Sequence, residues 1–365
     1  MKEALVYQKL RDNKVRCLVC QRKCLISPGK KGFCQTKLNQ KSLSANRRSK
    51  LYTLNYGLLN GPVQVDPIEK KPLYHFRPGT MVPSIGSWGC NFRCQQCLNH
   101  WCSWSKSSTQ VLELASNQGP SLQARKDGPF VINQIKKAGY QGIAFTYNEP
   151  VVWAEYVLDV AKLAKKSDFF TVFVTNGSWT KETLDKIGPH IDAANIDLKG
   201  FSEKTYSQQN AFFGQIPQMA IYAQKKHQIF LEITTLLIPG INDRPRELKK
   251  MTQWITKNLG PKTPWHLSRF SPSASVTKEF QKLPATTIDQ LKAAAKIGRK
   301  SGLEFIYIWA PGQDLPGGFY SQGDTVCPKC QEIVIKRFPW KPNLEKINQK
   351  GSCQNCQEKL NIKLG

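Results

Sequence analysis

The chain has 365 residues, 40% of them hydrophobic, enough to bury one large core with appendages. No run approaches the roughly 20 consecutive apolar residues that cross a bilayer, so no membrane association is expected. A formal charge of +27 admits a nucleic-acid or other polyanionic partner. The basic residues nevertheless run from Lys2 to Lys363 with no nucleic-acid module among them, which favours a lysine-rich solvated surface.

The opening, MKEALVYQKLRDNKVRC, lacks the apolar centre of a signal peptide, so a cytoplasmic location is expected. Twelve cysteines in such a chain read as metal ligands and not as disulfides, because cytosolic thiols are kept reduced. Their grouping agrees: one set of four near the start, a triplet, a set of four near the end, and Cys102 alone.

The first set, Cys17, Cys20, Cys24 and Cys34, lies in CLVCQRKCLISPGKKGFC, where Pro28, Gly29 and Gly32 permit tight turns around an ion. Tetrahedral zinc is the simplest occupant, and an auxiliary iron-sulfur cluster is the rival. A polar tract, NQKSLSANRRSK, follows, then VDPIEKKPLYHFRPGT at 65–80. By composition the latter is a surface turn, yet it leads straight into the triplet, so Glu69, Lys70, Lys71 and His75 are placed to meet substrate or cofactor.

The triplet is Cys90, Cys94 and Cys97 in SIGSWGCNFRCQQCLN, a CxxxCxxC spacing directly after a strand-like run. Three thiolates can face one inorganic centre and leave a coordination position open, whereas four would close it. The alternative is a zinc site that borrows Cys102 or a distant ligand.

Residues 103–129, rich in Ser, Gln and Gly with one weak apolar run, VLELA, read as an irregular crossover or lid. From 130 onward helical and strand-like segments alternate, the pattern of βα units and a parallel sheet. Six strands follow from GIAF to LEFIYIW and one precedes Cys90, which predicts a barrel or an incomplete one. Polar residues gather where the strands end: Asn148 and Glu149, Asn176 and Gly177, Asp197 and Lys199, then Pro239, Gly240 and Asn242. Asn195, Asp197 and Lys199 share one face of their strand, which implies a wet or liganded interior. The tail, with Cys327 and Cys330 as CPKC and Cys353 and Cys356 as CQNC, resembles a zinc ribbon, and structural zinc is expected there.

CxxxCxxC after a first strand resembles the radical S-adenosylmethionine (SAM) superfamily. The ordered set DPIEKKPLYHF, GCNFRC, TYNEP, VTNG, NIDLKG, ITTLLIPGIND and PWHLSRF, with the cysteine tail, resembles the AmmeMemoRadiSam-system radical enzymes, relatives of pyruvate formate-lyase activating enzyme. The resemblance covers nearly the whole chain. It implies an α/β fold: a partial TIM-like (β/α)6 radical SAM barrel over 81–320, preceded by an N-terminal four-cysteine segment and lead-in loop over 1–80. A C-terminal zinc-ribbon-like module occupies 321–365.

The resemblance further implies that Cys90, Cys94 and Cys97 hold a 4Fe-4S cluster. Tyr147, Asn148, Glu149 and Pro150 would stand at the methionine amino group of SAM. Asn176 with Gly177, and Asp197 with Lys199, would meet its ribose and carboxylate, and Gly240 and His266 its adenine side. The implied chemistry is reductive cleavage to a 5′-deoxyadenosyl radical that takes hydrogen from a substrate. The implied partners are an electron donor of flavodoxin or ferredoxin type and a protein carrying a glycyl residue; RNA, a small molecule or a silent metal-binding scaffold are the other readings. Gln96 stands where most of the superfamily has an aromatic residue, Trp309 and Ala310 stand where Gly-Asn is expected, and His100 is inserted before Trp101.

Overall fold

The computed structural model describes residues 1–40, 49–107, 127–338 and 341–365. Most of NQKSLSANRRSK and of the expected crossover or lid, including VLELA, lies outside the described residues.

Seven short runs rich in β-branched and aromatic residues form parallel strands: β1 (Met81–Ile85), β2 (Gly142–Phe145), β3 (Phe170–Thr175), β4 (Ala193–Asp197), β5 (Phe230–Leu237), β6 (Trp265–Arg269) and β7 (Ile306–Pro311). Each pairs in parallel with the next, so spatial order follows chain order. Antiparallel strands Gln64–Pro67 on β1 and Phe319–Gln322 on β7 occupy the two edges, and the nine-stranded sheet stays open. This is the expected incomplete barrel: six strands and the additional one.

Parallel strands need long crossovers, and six helices supply them. These are α1 (Gly128–Lys137), α2 (Ala154–Lys166), α3 (Lys181–Ile187), α4 (Ile216–His227), α5 (Pro245–Asn258) and α6 (Ile288–Lys300). Several begin where the sequence provides a cap. The Asp127 carboxylate accepts from the Phe130 amide, Thr180 from the Thr183 amide, and Thr287 with Gln290 forms a reciprocal capping box. On α2, Ala154, Tyr156, Val157, Val160, Ala161 and Ala164 are buried against the sheet, the spacing of one helical face. Among the described residues no helix is long and apolar enough to cross a membrane.

The terminal segments dock at opposite ends of the strands. The first 53 residues contain two small antiparallel sheets. They reach the loop after β3, where the Gln21 amide donates to the Ser178 carbonyl (2.9 Å) and the Thr180 hydroxyl to the Leu18 carbonyl (2.6 Å). Behind them a buried ion pair, Lys37 with Glu155 at 2.6 Å, ties the segment to α2.

The tail docks at the strands' N-terminal ends through residues 72–77. Arg337 donates to the Tyr74 carbonyl (2.6 Å), the Lys363 amide to the His75 carbonyl (2.8 Å), and the Arg77 amide to the Lys363 carbonyl (2.7 Å). The segment expected beside the substrate therefore largely seals the other end. Glu69 and His75 are buried there, and only Lys71 turns back toward the barrel mouth, its ammonium 5.4 Å from the centre of the Tyr147 ring.

Candidate active site

The cysteine triplet lies in the loop that leaves β1, and its shape is enforced by side chains that fasten the backbone. Arg93 donates to the carbonyls of Cys90 (2.8 Å), Phe92 (2.9 Å) and Ser103 (3.3 Å), closing the loop on itself. Asn148 accepts from the Ser87 amide (2.9 Å) and donates to the Gly89 carbonyl (2.8 Å). Gly89 has φ +82°, and a Cβ there would lie 2.5 Å from the Cys34 carbonyl oxygen, so only glycine allows this approach.

The loop opens on a cleft of about 260 Å³ at the strands' C-terminal ends. Cys90, Cys94, Cys97, Tyr147, Asn148, Glu149, Asn176, Asp197 and Lys199 all line it. Gly177 is adjacent, with φ +72° and Ile196 so close beneath that a Cβ would lie 2.9 Å from its methyl. Two expected members are elsewhere. Gly240 sits in the turn after β5, its amide on Asp243 (2.9 Å), and is not part of the lining. His266 is buried near the start of β6, 2.7 Å from the Glu232 carboxylate and stacked on Tyr307.

Asn195, expected on the wet face, is also buried below the cleft and donates to the Pro72 carbonyl (2.7 Å). Thr146, Thr175, Asn99 and Gln96 also line the cleft, beside apolar residues such as Phe92 and Leu236, and the sequence does not mark these four as cofactor contacts. Gln96, in place of an aromatic residue, hydrogen-bonds Gln209 (2.5 Å). Position beside the motifs is the only signal the sequence offers for these four. Trp309 packs on Phe319, with ring centroids 5.5 Å apart, and does not reach the lining.

Electrostatics sort the lining residues by role. Burial pushes the Glu149 carboxyl up to about 7, while both oxygens accept hydrogen bonds, from Thr175 (2.8 Å) and the amides of Val151 (3.1 Å) and Asn176 (2.8 Å). Glu149 thus builds the loops after β2 and β3. Asp197 binds the Lys199 ammonium through one oxygen at 2.6 Å, and its other oxygen is buried with no hydrogen-bond partner. Burial would lower the Lys199 pKa, but Asp197 outweighs it and holds the amine above its ordinary value. An ion pair with one open acceptor suits a zwitterion, carboxylate to Lys199 and donor to Asp197.

Burial raises all three thiols, Cys97 to about 12, and Glu149 adds to the effect at Cys90. Burial thus opposes free thiolates in this loop, and a bound metal centre would carry their charge. The three sulfurs do not draw together as ligands of a single ion do. Among the described residues only Cys327, Cys330, Cys353 and Cys356 have all ligand atoms within 4.8 Å of one another. The tail set fits a single ion, and the triplet lies outside that span.

Residues 85–252 match the radical SAM superfamily. An uncharacterised protein of Methanocaldococcus jannaschii is 33% identical over 365 residues, 100% of each chain. The chain belongs to the radical SAM superfamily.

A second protein of that organism, provisionally named a glycyl-radical enzyme activating enzyme, is 26% identical over 179 residues, 47% of this chain and 61% of its own. A radical SAM methyltransferase of Sphaerobacter thermophilus is 12% identical in its solved structure, covering 79% of this chain and 82% of that one with a TM-score of 0.46. Radical SAM membership implies a 4Fe-4S cluster and SAM, and the lining fits both: three cysteines on one loop and a charged pair with an open acceptor beside them.

Proposed function

We propose that this radical SAM protein abstracts hydrogen from a glycyl residue of a partner protein, as an enzyme of the AmmeMemoRadiSam-system type related to pyruvate formate-lyase activating enzyme. The observation that carries the reading is the meeting of Cys90, Cys94, Cys97, Asp197 and Lys199 in one cleft. Cys90, Cys94 and Cys97 would hold the 4Fe-4S cluster, and Asp197 and Lys199 the charged end of SAM, with Tyr147, Asn176 and Gly177 shaping the walls. When bound, the pair supplies one-electron cleavage of the sulfonium and a 5′-deoxyadenosyl radical.

The chain's own work is placement. Arg93 and Asn148 fix the cysteine loop, Glu149 fixes the loops after β2 and β3, and the buried strands keep water from the floor of the cleft. Zinc in the tail would hold the module that seals the far end. Burial raises the Cys327 thiol to about 12, whereas the Glu332 amide and neighbouring groups lower Cys330 to about 6; a bound zinc would hold both as thiolates. Twelve cysteines without a disulfide suit the cytoplasm, where a flavodoxin- or ferredoxin-type donor would supply the electron.

The test is an anaerobic extract of the source cells incubated with the reconstituted, reduced protein and SAM. A glycyl-radical doublet by electron paramagnetic resonance in the protein fraction is the expected result. Deoxyadenosine without that doublet would contradict a glycyl substrate and move the assignment to RNA or a small molecule.

A further inference from the structure

We propose that Cys17, Cys20, Cys24 and Cys34 hold a second 4Fe-4S cluster, closed by four thiolates, which passes electrons to the centre at Cys90, Cys94 and Cys97. The zinc expected from the spacing of these four is replaced in this reading, and the reason is the distance between sulfurs.

Four thiolates on one zinc, each at about 2.3 Å from the metal, stand about 4 Å from one another. The tail meets that requirement, with Cys327 and Cys356 sulfurs 3.5 Å apart and Cys330 and Cys353 sulfurs 3.6 Å apart. On a cubane each cysteine takes a different iron, so the sulfurs are spread by the width of the cluster. The N-terminal four are spread. They do not form a group within 4.8 Å, and they instead wall one cavity together with Arg22, Asn91 and apolar residues including Val19 and Ile26. The triplet, whose family centre is a cubane, is likewise outside the single-ion span. One chain thus contains both patterns, and the N-terminal set follows the cluster pattern.

Location gives the second cluster a task. The Cys34 carbonyl packs on Gly89, the residue before Cys90, and Asn91, the residue after it, lines the N-terminal cavity. Arg22 donates to the Asn91 carbonyl and so bridges the two loops. Cys24 is half-buried and Phe33 beside it is exposed, which offers a surface edge for an electron donor. In each cycle one electron leaves a ferredoxin- or flavodoxin-type donor, reduces the N-terminal cluster by one unit and moves on to the Cys90 centre. The relay returns to its oxidised state, and no bond forms or breaks on it.

The relay rests on the radical SAM reading of the Cys90 centre, whereas the metal assignment does not. The full chain and its Cys90→Ala, Cys94→Ala, Cys97→Ala triple variant are reconstituted anaerobically, and iron, sulfide and zinc are counted. The wild type should hold about eight irons per chain and the triple variant about four, with a spectrum that SAM leaves unchanged. A folded triple variant with zinc in both terminal sites and no iron would overturn the cluster. A milder variant, Cys24→Ala, removes only the half-buried ligand. It should slow deoxyadenosine formation at least tenfold with a ferredoxin-type donor and much less with dithionite, and equal slowing with both would overturn the relay.

Discussion

Two carboxylates on neighbouring strands, Glu232 on β5 and Asp197 on β4, divide the molecule into its two ends. Glu232 accepts from the amides of Tyr74 (2.9 Å) and His75 (2.8 Å) and from His266 (2.7 Å); burial alone would raise its carboxyl, yet these donors hold it below the usual range. Asp197 has one partner and one open oxygen. The first arrangement is satisfied from within, and its role is to hold the tail and residues 72–77 against the barrel. The second awaits something from outside. Substitutions at the strands' N-terminal ends should therefore cost stability, and those at the C-terminal ends should cost binding and turnover.

The sharpest separation comes from replacing Cys90, Cys94 and Cys97 together with alanine. Deoxyadenosine formation should fall to background while circular dichroism and the urea midpoint stay near wild type, and a collapse of the fold would refute the division. Glu232→Leu should do the reverse. It strands the buried amides of Tyr74, His75 and Phe76 and the His266 ring, a loss of about 3–5 kcal/mol that a urea titration would read. Activity per folded molecule should hardly change.

A smaller effect is expected from Asp197→Asn, which keeps size and removes charge. The SAM concentration needed to perturb the cluster's spectrum should rise about tenfold, equal to about 1.4 kcal/mol. An unchanged affinity would place SAM elsewhere in the cleft.

The smallest effect concerns acid. Burial pulls His75 down to about 4, so between pH about 6.5 and about 4 the unfolded chain takes up a proton that the folded chain refuses, and stability falls as pH falls. Burial pushes Glu69 up to about 7, so its folded form takes up a proton first and gains stability over the same acidification. The two oppose one another. Glu69→Gln should expose the histidine's effect, a steeper loss approaching about 1.4 kcal/mol per pH unit in urea midpoints compared at pH 6.5 and 5.

The division also shows how far the sequence could be read. The seven strands, their order and the cysteine loop were legible because hydrophobic period and ligand spacing are local signals. Residues lining the cleft were legible where strand ends marked them. What local signals do not contain is the destination of a loop. VDPIEKKPLYHF adjoins the triplet in sequence, yet Glu232, 157 positions from His75, draws most of it to the far end. His266 follows the same partner: a histidine on a strand looks alike whether it faces ligand or carboxylate. The two cysteine tetrads read alike as well, since spacing sets ligand number and only the fold sets the distance between sulfurs.

The central claim is that this cleft cleaves SAM reductively. It is tested by incubating the anaerobically reconstituted protein, iron content known, with SAM and dithionite and measuring 5′-deoxyadenosine by liquid chromatography. Product that scales with iron at the Cys90 centre and vanishes in the triple variant is the predicted result; no product at full iron loading would contradict the account.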